Sequence, residues 1–245
     1  FSQSNDLADV YPDKLDSLIK KFDQEAKKYE VYPLRDAGSR RGGDYSVPHS
    51  LDGYDKVAYN DKHFRMPEFS VLNLKNVSYN IMAKIELREI ENPGNSGVIA
   101  CQGGAMAGWA LFLSKTGILK FVYNWFGKEF TEICCSDALA VGVHEIKINY
   151  AHDGGFGAGG LFKLFVNETL MDRKRVGRTV AVIFSMSGET FDVGRNTGSP
   201  VADYPSHYPF TGKIIRVVLE RLSEKDALTL KEETKARFTA SLSAQ

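Results

Sequence analysis

Between Phe191 and Val201 the chain brings Asp192, Arg195 and Asn196 together with Gly194, Gly198 and Pro200. Side-chain oxygens at that spacing are what a loop uses to wrap a hard cation such as Ca²⁺, so Asp192 and Asn196 are the candidate metal ligands. The same residues also suit a turn, because Asp and Asn hydrogen-bond their own backbone and glycine accepts a positive φ. A second group is aromatic. Trp109, Tyr123, Trp125 and Phe126 fall on neighbouring extended stretches, with Asn124 among them. Rings standing on a sheet make platforms for flat ligands such as sugars, which makes Trp109, Tyr123, Asn124 and Trp125 the candidate ligand-binding residues. The competing place for large strand aromatics is the core. Alternation along a strand puts Tyr123 and Trp125 on one face and Asn124 on the other.

No residue earns a catalytic role. The histidines at 49, 63, 144, 152 and 207 have no zinc-ligand spacing, no serine stands in a Gly-x-Ser-x-Gly elbow, and the strand pattern Glu-x-Asp-x-Glu is absent. Glu189 and Asp192 form the nearest acidic pair, but in an extended chain they face opposite sides. The glycine-rich runs Gln102-Gly103-Gly104 and Asp153 to Gly160 do not join a strand to a helix in a phosphate-binding pattern, so they read as loops. Three cysteines, Cys101, Cys134 and Cys135, cannot all pair within the chain. Neighbours in a strand point apart, so small buried core residues are expected at Cys101 and at one of the pair.

Lys plus Arg (31) equals Asp plus Glu (31), which excludes long-range attraction of nucleic acid as a main function. The local run Arg173, Lys174, Arg175 and Arg178 reads as a solvated strand face. A hydrophobic content of 43% is enough for a packed core, and no apolar run is long enough to span a bilayer. The chain opens at Phe1, so the missing targeting segment leaves the compartment open.

The elements that must position these residues follow from periodicity. Leu15, Leu18, Ile19, Phe22, Ala26 and Tyr29 recur at helical spacing, with Pro12 suited to a first turn, and predict an amphipathic helix with one apolar face. Residues 37–67 are polar and turn-rich and read as an irregular wrapping connection. From Ser78 the period becomes two. Strands are expected at 78–88, 97–102, 109–114, 118–125, 130–135, 144–150, 162–166, 190–193 and 213–220. Many short strands without intervening helices predict a mainly β fold, an antiparallel sandwich of jelly-roll or concanavalin-like kind spanning 68–222. Ser223 and Asp226 make a weak capping box for a helical tail over 223–245, with a frayed or partner-bound tail as the alternative.

The stretch Phe1-Ser2-Gln3-Ser4-Asn5-Asp6-Leu7-Ala8, followed by Tyr11-Pro12-Asp13-Lys14-Leu15, resembles the end of the catalytic domain in bacterial arylsulfatases. So do Tyr123-Asn124-Trp125-Phe126-Gly127, the run Phe191 to Val201 and Pro209-Phe210-Thr211-Gly212-Lys213-Ile214, which are similar to that family's C-terminal region. The resemblance implies that residues 1–36 close a catalytic domain and that the remainder is an accessory sandwich. Its partner would be its own upstream sulfatase domain, which would carry a formylglycine and a divalent cation, Ca or Mg. This chain lacks the Cys/Ser-x-Pro-x-Arg nucleophile motif, since Ser46-Val47-Pro48-His49-Ser50 has no arginine, so no cofactor is expected in it. Two functions compete: a module that stabilises or shapes a sulfatase catalytic domain, and a lectin-like glycan-binding sandwich whose partner is carbohydrate.

Overall fold

A computed structural model describes residues 6–29, 31–32, 51, 53–89, 94–223 and 226. The chain divides into two compact units, Phe1–Pro48 and His49–Gln245.

In the first unit, helix α1 runs Pro12–Lys28. Pro12 sits where a missing N–H costs nothing, Asp13 faces the positive N-terminal end, and Lys27 and Lys28 face the negative one. The Tyr29 amide caps the last turn by donating to the Glu25 carbonyl. Leu18, Ile19 and Phe22 remain about half exposed, whereas Ala26 is buried. Phe22 meets the Tyr32 ring edge-on, and the Tyr32 hydroxyl donates to Asp23.

The second unit is the expected antiparallel sandwich, with eleven strands among the described residues. They are β1 (Lys56–Tyr59), β2 (Tyr79–Leu87), β3 (Gly97–Gly103), β4 (Gly108–Leu113), β5 (Ile118–Trp125), β6 (Glu129–Ala138), β7 (Gly142–His152), β8 (Ala158–Val166), β9 (Thr169–Arg178), β10 (Phe191–Val193) and β11 (Lys213–Arg221). One sheet has the order β1-β11-β2-β7-β8-β9 and the other β10-β3-β4-β5-β6.

Two of these strands escape the period-two reading. β1 is four residues within the stretch expected to be irregular, and it becomes a strand only by pairing Lys56 to Tyr59 against Glu220 to Val217. β9 carries the basic run, and Val176 is its only buried residue, so an edge strand bathed on both faces has no apolar alternation to read.

β2 alternates cleanly, with Tyr79, Ile81, Ala83, Ile85 and Leu87 pointing into the core between the sheets. β3 and β4 are buried at every position. Their inner face meets the main core, while Val98, Cys101, Ala110 and Phe112 lie under Val201, Tyr204 and Tyr208 of the connection from β10 to β11. Covering both faces explains why these strands read as continuous apolar runs.

The sides of the sandwich are closed by specific bonds. The Cys134 amide of β6 donates to Asp172 of β9 at 3.0 Å, and Met66 exchanges two backbone bonds with Phe191 of β10. A buried ion pair, Lys75 to Glu68 at 2.5 Å, anchors the approach to β10. The Glu68 carboxylate also accepts the amides of Phe184 and Ser185, so its charge is compensated on several sides. At the C-terminal end the Asp226 amide donates to the Ser223 hydroxyl, which is the bond a capping box requires. The rest of the expected tail helix lies outside the described residues.

Candidate functional site

Trp109 and Tyr123 do not reach the surface. Trp109 is fully buried, packs on Phe121 and Phe191, and donates its indole N–H to Gln102 at 3.2 Å. The Tyr123 hydroxyl accepts the Val180 amide, and burial raises its pKa well above the usual phenol value. Both rings are core, because alternation on β4 and β5 aims them between the sheets.

Asn124 faces the other way, as alternation requires, and is completely buried. Its side-chain amide donates to the carbonyls of Gly104, Ala105 and Val201, and its oxygen accepts the Gly127 amide at 2.8 Å. One side chain therefore ties together the β3–β4 loop, the β5–β6 turn and the connection after β10. It positions the site and is itself inaccessible to a ligand.

Trp125 and Phe126 are the accessible part. The β5–β6 connection is a tight turn, with the Lys128 amide donating to the Trp125 carbonyl at 3.1 Å and positive φ at both central residues, Phe126 (53°) and Gly127 (65°). A turn of this mirror type matches the twist of a hairpin and normally places Asn followed by Gly at those positions. A phenylalanine in the left-handed region is strained, and such strain collects at ligand clamps.

Trp125 and Phe126 meet edge-on at 5.0 Å, and both remain partly exposed. The Arg178 guanidinium, from the end of β9, lies 3.6 Å from the centre of the Trp125 ring. Arg178 also pairs with Glu129, and that hydrogen bond holds the Glu129 carboxyl below the ordinary carboxylate range. The turn thus presents the Phe126 ring, a guanidinium stacked over Trp125 and an ionised carboxylate. Glu129 faces Trp125 across the β5–β6 hairpin, whereas Arg178 is not legible as a site residue in the sequence, because it comes from a strand of the other sheet.

The proposed cation loop is explained by hydrogen bonds. Asp192 is buried, and its oxygens accept the amides of Arg65 (2.6 Å) and Thr197 (2.9 Å) and the Thr197 and Thr190 hydroxyls. Asn196 is also buried. It donates to the Ser199 carbonyl and the Tyr204 hydroxyl and accepts the Gly198 amide. The oxygens meant for a metal are engaged in closing a turn. Among the described residues no group of three or more His, Cys, Asp or Glu is placed to hold a metal ion. Within the same residues no helix is long and apolar enough to cross a membrane.

No family model and no curated protein matches this chain. Solved structures similar to it include the CBM40 of the Ruminococcus gnavus IT-sialidase, at 15% identity over 64% of this chain and 83% of that one, with a TM-score of 0.42. A leech intramolecular trans-sialidase complexed with 2,7-anhydro-Neu5Ac is 11% identical over 72% of this chain and 27% of that one, with a TM-score of 0.45. The binding domain of botulinum neurotoxin DC in complex with rat synaptotagmin II is 14% identical over 73% and 40%, with a TM-score of 0.40. At these values the likeness does not reach function. The expected kinship with arylsulfatases is corrected by the same comparisons, since no family or curated protein supports it and these neighbours are sialidase modules and toxin binding domains.

Proposed function

We propose that this sandwich is a carbohydrate-binding module that holds a sugar at the β5–β6 turn. The observation that carries the reading is Phe126, a bulky residue kept at φ 53° beside the partly exposed Trp125. Strain of that kind is kept where the side chain does something the favoured Asn would not. A sugar's axial C–H face stacks on an aromatic ring, and its hydroxyls both donate and accept. Phe126 and the part of Trp125 left exposed supply the ring surface, Arg178, stacked over Trp125, the donors and Glu129 the acceptor. Asn124 holds the turn in place from beneath.

Calorimetric titration of the full chain with a panel of neutral and acidic oligosaccharides tests this. Saturable heat with at least one glycan, abolished by Trp125→Ala in a variant that still unfolds cooperatively, is the expected result. Heat that survives Trp125→Ala unchanged moves binding away from the turn, and silence across the whole panel refutes the function.

A further inference from the structure

We infer a second sugar site on the outer face of the five-stranded sheet, independent of the Trp125 turn. A groove of about 570 Å³ lies there, between β4, β5 and β6 on one side and the segment around Asp203 to Tyr208 on the other. Lys120 sits about 17 Å from Trp125 along β5, five residues at a strand's rise, so one monosaccharide cannot span both places.

The chemistry of the walls selects the ligand class. Phe112 and Tyr204 pack at 4.9 Å, and Tyr204 stacks on Tyr208 at 6.0 Å, which gives an aromatic wall. Facing solvent, Lys120 and Glu132 form a pair at 2.8 Å, both partly exposed. A cation and a carboxylate side by side offer a donor and an acceptor to two adjacent hydroxyls, the fork a vicinal diol fits. Asp203 lines the same groove and makes no hydrogen bond or ion pair with any described residue, so a further acceptor stands free. Tyr208 is buried, and its hydroxyl has no hydrogen-bond partner. The Tyr204 hydroxyl, by contrast, already accepts from Asn196 and Val201. An orphaned buried hydroxyl in a groove wall marks a place where water or a ligand oxygen completes the bonding. With Lys115 and Lys120 balanced by Glu132 and Asp203, the groove carries no net charge and suits a neutral polyhydroxylated ring.

Amide chemical shifts of the isotope-labelled full chain, titrated with the methyl glycosides of glucose, galactose and mannose, read both sites at once. At least one glycoside is expected to shift the amides of Lys120, Glu132 and Asp203 saturably, in wild type and in Trp125→Ala alike. Asp203→Ala and Lys120→Ala, both changes at solvent-facing side chains, should weaken that response about tenfold, as loss of a hydrogen bond to a charged group does. Shifts at the Trp125 turn with none at the groove overturn this site and leave the first standing. Shifts at the groove in Trp125→Ala, where the turn site is removed, support this site, and silence at the groove with all three glycosides overturns it whatever the turn does.

Discussion

Replacing Phe126 by two residues of different backbone tolerance separates strain from packing at the β5–β6 turn. Both Phe126→Ala and Phe126→Asn remove the same ring, which packs partly against the main core and edge-on to Trp125. Whatever that contact is worth is lost equally. The two variants differ at the backbone, where φ is 53°. Alanine keeps the clash between Cβ and the following carbonyl, roughly 1–2 kcal/mol, whereas Asn visits this region with local hydrogen-bond support. The Asn variant should therefore be more stable than the Ala variant by about 1 kcal/mol. For a domain of this size that is a gap of about 2–4 °C in melting temperature. Equilibrium urea unfolding at matched m-values measures it. Both variants should bind sugar more weakly than wild type, so that Phe126→Asn is a folded protein with a repaired turn and an impaired site. An Ala variant as stable as the Asn variant, or more so, refutes the strained-turn argument and with it the reason for placing function there.

Other consequences follow from buried groups. Glu68→Gln leaves Lys75 buried without its counter-charge and should cost about 3–5 kcal/mol. Glu68→Gln with Lys75→Met, which removes the unpaired charge and keeps an acceptor for the Phe184 and Ser185 amides, should recover much of this in the same urea assay, and a single-variant loss below about 1 kcal/mol, far under that range, contradicts the buried-pair reading. Of the three thiols, Cys101 and Cys135 are buried and Cys134 is partly exposed, so native alkylation should label Cys134 alone and denaturant should open all three. Burial, with the Cys134 thiol next to it, pushes Cys135 up to about 11, so at pH 8 roughly one molecule in a thousand carries that thiolate. Mass spectrometry of the labelled chain decides it, and rapid native labelling of Cys135 is the contrary result. Because the Asp192 oxygens are taken by amide and hydroxyl donors, adding EDTA or Ca²⁺ should leave the melting temperature unchanged, whereas Asp192→Ala, which removes the acceptor of the part-buried Arg65 and Thr197 amide bonds, should lower it. A calcium-dependent rise in melting temperature restores the metal reading.

The mainly β architecture is legible in the sequence because alternation is a local consequence of burying one face of a strand. Tyr79 to Leu87 shows it over a full strand, and Pro12 with the Leu15 to Phe22 spacing does the same for the helix. The opposite faces of Tyr123 and Asn124 follow from the same rule. What fails is whatever has no local signature. β1 exists only through its pairing with β11, and β9 is solvated on both faces, so neither alternates. Sequence likewise marks Trp109, Tyr123 and Trp125 as one aromatic set. Whether a strand ring lies in the core or at the rim depends on how far along the sandwich it sits, and the structure buries the first two and leaves Trp125 at a turn.

Residue types alone determined that the chain would form an antiparallel sandwich and would carry a turn within 191–201. Only the tertiary structure decided that Asp192 and Asn196 spend their oxygens on the backbone, and that Arg178, from a strand of the other sheet, meets Trp125 and Glu129. The reason is physical: local pattern reports which side of a strand is dry, whereas a site is made by residues distant in sequence, and their meeting is set by sheet order and register, which no single strand encodes.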